Sequence, residues 1–148
     1  MATMRIFASC SRRSASQRLK SIQGITIPKC YGLTAFDGRK ALILDRLPGA
    51  SLAEPDGPTL SYDEAKRRLK TCYDEISQLG AFQEDPTISN FILMPDKRRI
   101  MAVDLEYVAI DRTQEDIEYR NLSSMQASLE MYLGRQQFLR SDGYLDAA

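Results

Sequence analysis

The chain has 148 residues, 43% hydrophobic and 27% charged, the composition of one ordinary globular domain with enough apolar content to bury a core. Twenty Lys and Arg balance twenty Asp and Glu, so no global positive field points to nucleic acid, and no apolar run approaches the roughly 20 residues of a membrane span. Histidine is absent, which excludes Ser-His-Asp and Cys-His catalysis and His-ligated zinc in one step.

The charge is unevenly spread. Residues 1–36 carry Arg5, Arg12, Arg13, Arg18, Lys20 and Lys29 and no acid. Within them, residues 1–21 form a basic, Ser- and Arg-rich segment with three readings: an irregular terminus, the tail of a helix, or a mitochondrial transit peptide. Ser16 to Ile22 predicts the last turns of a helix, stopped by Gly24. Cys10, Cys30 and Cys72 are odd in number and form no C-x-x-C pair, the pattern of free thiols in a reducing compartment. An intracellular, soluble protein is expected: cytoplasmic, or mitochondrial if residues 1–21 are a targeting segment.

From Ile25 the pattern turns to strands. Ile25, Ile27 and the Tyr31 region predict one run, Asp37-Gly38 predicts a hairpin tip, and Ala41 to Leu44 predicts a strand buried on both faces. Pro48-Gly49 and the stretch from Glu54 to Pro58 break the chain into a loop, with one helical turn expected near Ser51-Leu52-Ala53. Ser61 and Glu64 form a capping box. Tyr62, Ala65, Leu69, Cys72, Tyr73, Ile76 and Leu79 then share one helical face, leaving Lys66, Arg67 and Lys70 outside it, and Gly80 ends the helix. A second helix is expected from Thr113, its cap, to about residue 134, with Leu122, Met125, Leu129, Tyr132 and Leu133 as a core stripe. A short helix around Gln136 to Leu139 and a fraying tail, 141–148, complete the expectation.

Between the helices lies the stretch richest in chemistry. Asp85-Pro86-Thr87-Ile88-Ser89-Asn90 precedes the apolar run Phe91 to Met94. A turn at Pro95-Asp96-Lys97 and a second apolar strand, Ile100 to Val103, then lead to Asp104. An Asp with an Asn five places on is common by chance. The order helix, loop with Asp and Asn, strand, turn, strand, Asp is not. Asp85 can act as a base, Asn90 can offer an amide oxygen, and Asp104 a carboxylate, the oxygen donors that Mg²⁺ prefers alongside substrate phosphates. Each has a plainer reading: a turn Asp before Pro86, an Asx-turn Asn, a solvated strand-end acid.

Residues 61–106 resemble the catalytic-loop region of the protein-kinase-like superfamily. Gln83-Glu84-Asp85 through Asn90 is similar to its H-x-D-x-x-x-x-N loop, with Gln83 in place of the mainly structural His. Asp104-Leu105-Glu106 is similar to its D-F-G motif. The acid at the third position is closer to small-molecule phosphotransferases such as aminoglycoside and choline kinases. Ile27 to Gly32 and Ala41 to Gly49 look like the last two small-lobe strands leading into the hinge. The span 22–110 is similar to small fungal kinase-like proteins.

The resemblance implies an α+β, partial protein-kinase-like fold over 22–140, with ATP and Mg²⁺ as cofactors. It implies Asp85 as catalytic base, Asp45 and Leu47 as hinge contacts to the nucleotide, and Asn90 and Asp104 as metal ligands, with Glu106 a further ligand or a surface group. Thr87 stands where many kinases carry a phosphate-neutralising Lys, and Glu84 adds negative charge beside the base. No G-x-G-x-x-G, V-A-I-K or A-P-E segment is found, and no acid precedes Asp37, so the likeness is to an N-terminally truncated kinase. Three functions stay open. The chain is a degenerate kinase-like protein with a vestigial Mg-ATP site. Or it is an active small-molecule or protein kinase completed by further sequence or a partner. Or it is a non-enzymatic interaction domain. Nucleotide and protein partners fit these readings; nucleic acid and membrane do not.

Overall fold

The computed structural model describes residues 2–6, 18–83, 85–104, 108–109 and 112–146, which form an α+β arrangement of small antiparallel sheets and two helices. The first sheet contains β1 (Ala2–Ile6), β2 (Cys30–Phe36) and β3 (Arg39–Asp45), with β3 in the centre. The Asp37-Gly38 hairpin is present. Both residues have positive φ, 49° and 69°, as a type I′ turn requires. The N-terminal segment supplies a third strand that pairs antiparallel with β3, Ala2 opposite Asp45 and Ile6 opposite Ala41.

Two strand expectations need correction. Ile25 is not in a strand. Residues 22–27 form a tight turn in which the Thr26 and Ile27 amides both donate to the Ile22 carbonyl, and Ile25 is exposed while Ile27 is buried. The run Ala41 to Leu44 is buried at Ala41 and half-buried after it. The main core is built elsewhere, largely from residues 62–78, 91–102 and 114–141, so this run is only partly covered.

Helix α1 (Tyr62–Gln78) forms where its caps and stripe predict. Ser61 Oγ accepts from the Glu64 amide and donates to the Glu64 carboxylate. Ala65, Leu69, Cys72, Tyr73 and Ile76 are buried, whereas Tyr62 at the first turn is exposed. The helix ends in a Schellman motif. The Gly80 amide donates to the Ser77 carbonyl and Ala81 to Ile76, with Gly80 at φ +70°.

The second sheet contains β4 (Ala50–Ser51), β6 (Phe91–Leu93) and β7 (Ile100–Ala102), with β6 in the centre. β4 replaces the helical turn expected near Ser51. Its backbone pairs with Leu93 and Ile92, and Gly49 leaves no room for a methyl group against the Leu93 carbonyl. A two-residue β5 (Phe82–Gln83) pairs with β8 (Val108–Ala109).

Helix α2 (Gln114–Ser141) is capped by Thr113, whose side chain accepts from the Asp116 amide. It runs without a break through Gly134, so the short separate helix expected at Gln136 to Leu139 is its last turns. The expected stripe also shifts. Leu122 and Leu133 are exposed, and the buried face is Ile117, Asn121, Met125, Ser128, Leu129, Tyr132, Gln136 and Leu139. Three of these are polar, and their partners explain why. Gln136 donates to the Pro58 and Leu60 carbonyls, and Tyr132 both accepts from the Leu60 amide and donates to its carbonyl. Ser128 donates to the Pro86 carbonyl, so its single hydrogen is used and Tyr73 donates to Ser128. The inner face of α2 thereby satisfies irregular backbone that would otherwise be buried unpaired. No helix among the described residues is long and apolar enough to cross a membrane.

Candidate functional site

The site is assembled at one end of the β6–β7 hairpin. Asn90 closes a 3-10 turn (Ile88–Asn90) and leads directly into β6. Its carbonyl accepts from the Val103 amide at 2.7 Å, which sets Asn90 beside the residue preceding Asp104. The strand pairing Phe91 with Ala102 fixes that register. Asn90 is itself buried, and the next residue, Phe91, packs against Tyr73 with ring centroids 5.4 Å apart.

Asp85 faces the same loop. One carboxylate oxygen accepts from the Thr87 amide at 3.1 Å, an Asx turn, and the other from the Asn90 side-chain amide at 3.1 Å. The Thr87 hydroxyl and amide and the Asn90 amide hold the Asp85 carboxyl below its ordinary range, against a smaller opposing effect of burial. Asp85 is thus kept ionised by its own loop. The same bonds occupy both of its oxygens.

Asp104 follows β7 with φ +58°, in the left-handed region that non-glycine residues seldom occupy. Its carbonyl accepts from Gln83 Nε2 at 3.4 Å. Gln83 is fully buried. Its amide donates to Asn121, its carbonyl accepts from Ser124, and its Oε1 has no partner among the described residues. Asn121 in turn donates to Ser77 and to the Ala81 carbonyl. A buried polar chain therefore runs from the end of α1 through Asn121 and Gln83 to the backbone of Asp104.

The structure brings Asp85, Asn90, Asp104 and Gln83 together. It does not join Asp45 or Leu47 to them through any described contact. Asp45 ends β3 and accepts from the Tyr31 hydroxyl at 2.7 Å, an exposed bond that raises the Tyr31 pKa. Leu47 lies on the connection that enters β4 at Ala50, opposite Leu93 of β6. Glu84, Leu105 and Glu106 lie outside the described residues. The positioning residues Asn121, Ser124 and Ser128 were missed in the sequence, because they interrupt rather than extend the apolar period of α2.

No described group of three or more His, Cys, Asp or Glu is placed to hold a metal by itself. An amide oxygen and one carboxylate suit Mg²⁺ when nucleotide phosphates complete the shell, which is how this ion is usually bound. The donor set fits a metal–nucleotide pair, not a bare ion. Comparison with family models and with curated proteins returned no match.

Proposed function

We propose that the chain is a partial kinase-like domain whose hairpin end keeps a reduced Mg²⁺–nucleotide site, with phosphoryl transfer weak or lost. One observation supports this reading: the backbone bond from Val103 to Asn90 sets Asn90 beside the residue that precedes Asp104, and the Asn90 side chain also braces an Asp held ionised. With nucleotide present, Asn90 and Asp104 are the residues that would hold Mg²⁺. The ion would neutralise phosphate charge there.

The chain's own groups account for the expected weakness. Asp85 would orient an acceptor hydroxyl, but its two oxygens are already accepting from Thr87 and Asn90. A depressed carboxyl is also a poor base near neutral pH. Thr87 contributes no positive charge where transfer needs one. The bracing of Asp85 equally favours a second reading, a non-enzymatic domain in which these bonds only fix the loop.

Thermal unfolding with ATP and Mg²⁺ separates the two. A ligand at a hundred times its dissociation constant stabilises a fold by about 2.7 kcal/mol. A Mg²⁺-dependent rise in Tm that disappears in Asp104→Asn is expected. An unchanged Tm in the wild type would overturn the nucleotide reading and leave the non-enzymatic one.

A further inference from the structure

A cavity lies against α1, with no residue of the Asp85 loop in its wall. It measures about 160 Å³ and sits between α1, the β6–β7 turn and the turn at 22–27. Cys72 and Ile100, both buried, are part of its wall. Arg67 and Arg68 come from α1, and Arg98 and Arg99 from the hairpin turn. The remaining polar walls are Thr26, Thr71 and Glu75.

The charge balance of this cavity is one-sided. Among the residues that line it, four arginines stand against one acid, Glu75, an excess of three positive charges. Burial raises the Glu75 carboxyl above its ordinary range, and Arg99 opposes that rise. Among the described residues, the one ion pair made by the four arginines is Arg68 with Glu64, long at 3.6 Å. Arg68 Nε is shielded from solvent and has no partner among the described residues. Thr71 already donates to the Arg67 carbonyl, so recognition falls to the guanidinium forks.

We propose that this cavity is a binding site for a compact phosphate-bearing small molecule. Arginine forks match phosphate oxygens in bidentate geometry, and four arginine residues line this one small volume. The volume holds about five waters at roughly 30 Å³ each, enough for a phosphoryl group with a small substituent. None of the lining residues belongs to the Asp85 loop, so the site is independent of the nucleotide reading.

Calorimetric titration with inorganic pyrophosphate, in low salt and with EDTA present, tests it. Without Mg²⁺ the Asn90–Asp104 end has no cation with which to take up phosphates, so binding there is suppressed. Saturable binding at one site is expected. It should be retained in Asp104→Asn and weakened in the double variant Arg67→Gln, Arg98→Gln. Each charge-assisted bond lost corresponds to about tenfold or more in affinity. Arg67 and Arg98 are both exposed, and circular dichroism of the variant checks that the fold is intact. No saturable binding, undiminished binding in the double variant, or loss of binding in Asp104→Asn would overturn the proposal.

Discussion

Asp85 carries a pH signature that its neighbours create. Hydrogen bonds from Thr87 and Asn90 favour the ionised carboxylate, so its pKa in the folded chain lies below the unfolded value of about 3.9. A depressed carboxyl stabilises the fold above the unfolded pKa. That contribution fades as pH falls through the folded value. Asp85→Asn should therefore cost about 1–2 kcal/mol near neutral pH, for lost charge-assisted bonds. Urea unfolding should show the gap to wild type narrowing from about pH 5 downward as both carboxyl states protonate. Parallel loss of stability in the two proteins would contradict the bracing. Asp104 is a different case. Its positive φ is a position that Asn also tolerates, so Asp104→Asn changes the charge and keeps the turn.

At the scale of elements, α2 is where the sequence misleads and the structure is most informative. Its length and register were hidden because Asn121, Ser128 and Gln136 lie on the buried face, off the expected stripe of Leu122, Met125, Leu129, Tyr132 and Leu133. These polar side chains bond loop backbone rather than packing against apolar neighbours. Tyr132→Phe tests this role. The Leu60 carbonyl keeps its bond from Gln136, but the Leu60 amide loses its acceptor. Leaving a buried donor unpaired costs about 1–3 kcal/mol. For a chain of this size each kcal/mol lowers Tm by about 2–4 °C. A Tm equal to wild type would show that the loop from Pro58 to Leu60 is held by other means.

The contrast with α1 explains what could be read in advance. The capping box at Ser61, the apolar face from Ala65 to Ile76 and Gly80 all carry local signals, and each appears in the structure. The Asp37-Gly38 and Pro95 to Lys97 turns are local as well, and both are present. β4 was illegible because two residues pair through backbone alone. Part of the site was legible as order along the chain: the Asp, the Asn and the strand that ends in a second Asp. The fold of Asp85 back onto Thr87 and Asn90 was open as one alternative, since a turn Asp before a proline is a local pattern. The link from Gln83 to Asn121 was not, since it joins residues 38 positions apart.

For the whole molecule, burial is concentrated at one end. The core joins α1, α2, β6 and β7 with Leu19, Ile27, Leu52 and Leu60, and no residue of β2 or β3 belongs to it. Tyr31, Leu33 and Phe36 of β2 are exposed. Regions with few buried apolar contacts open at lower free energy than the global unfolding. Amide hydrogen exchange should therefore be fastest among the strands in β2 and β3, and slowest in α1, β6 and β7. Protection of β2 and β3 equal to that of α1 would mean that the first sheet unfolds only with the whole domain.

Under the proposed function, Asn90 and Asp104 are the metal-facing groups of a nucleotide site. Nuclear magnetic resonance with ATP and a trace of Mn²⁺ in place of Mg²⁺ addresses it most directly, because paramagnetic broadening marks residues near the ion. Broadening centred on the amides of Ser89 to Phe91 and Val103 to Asp104, absent without ATP and lost in Asp104→Asn, is expected. Broadening centred elsewhere, or none with ATP present, would contradict it.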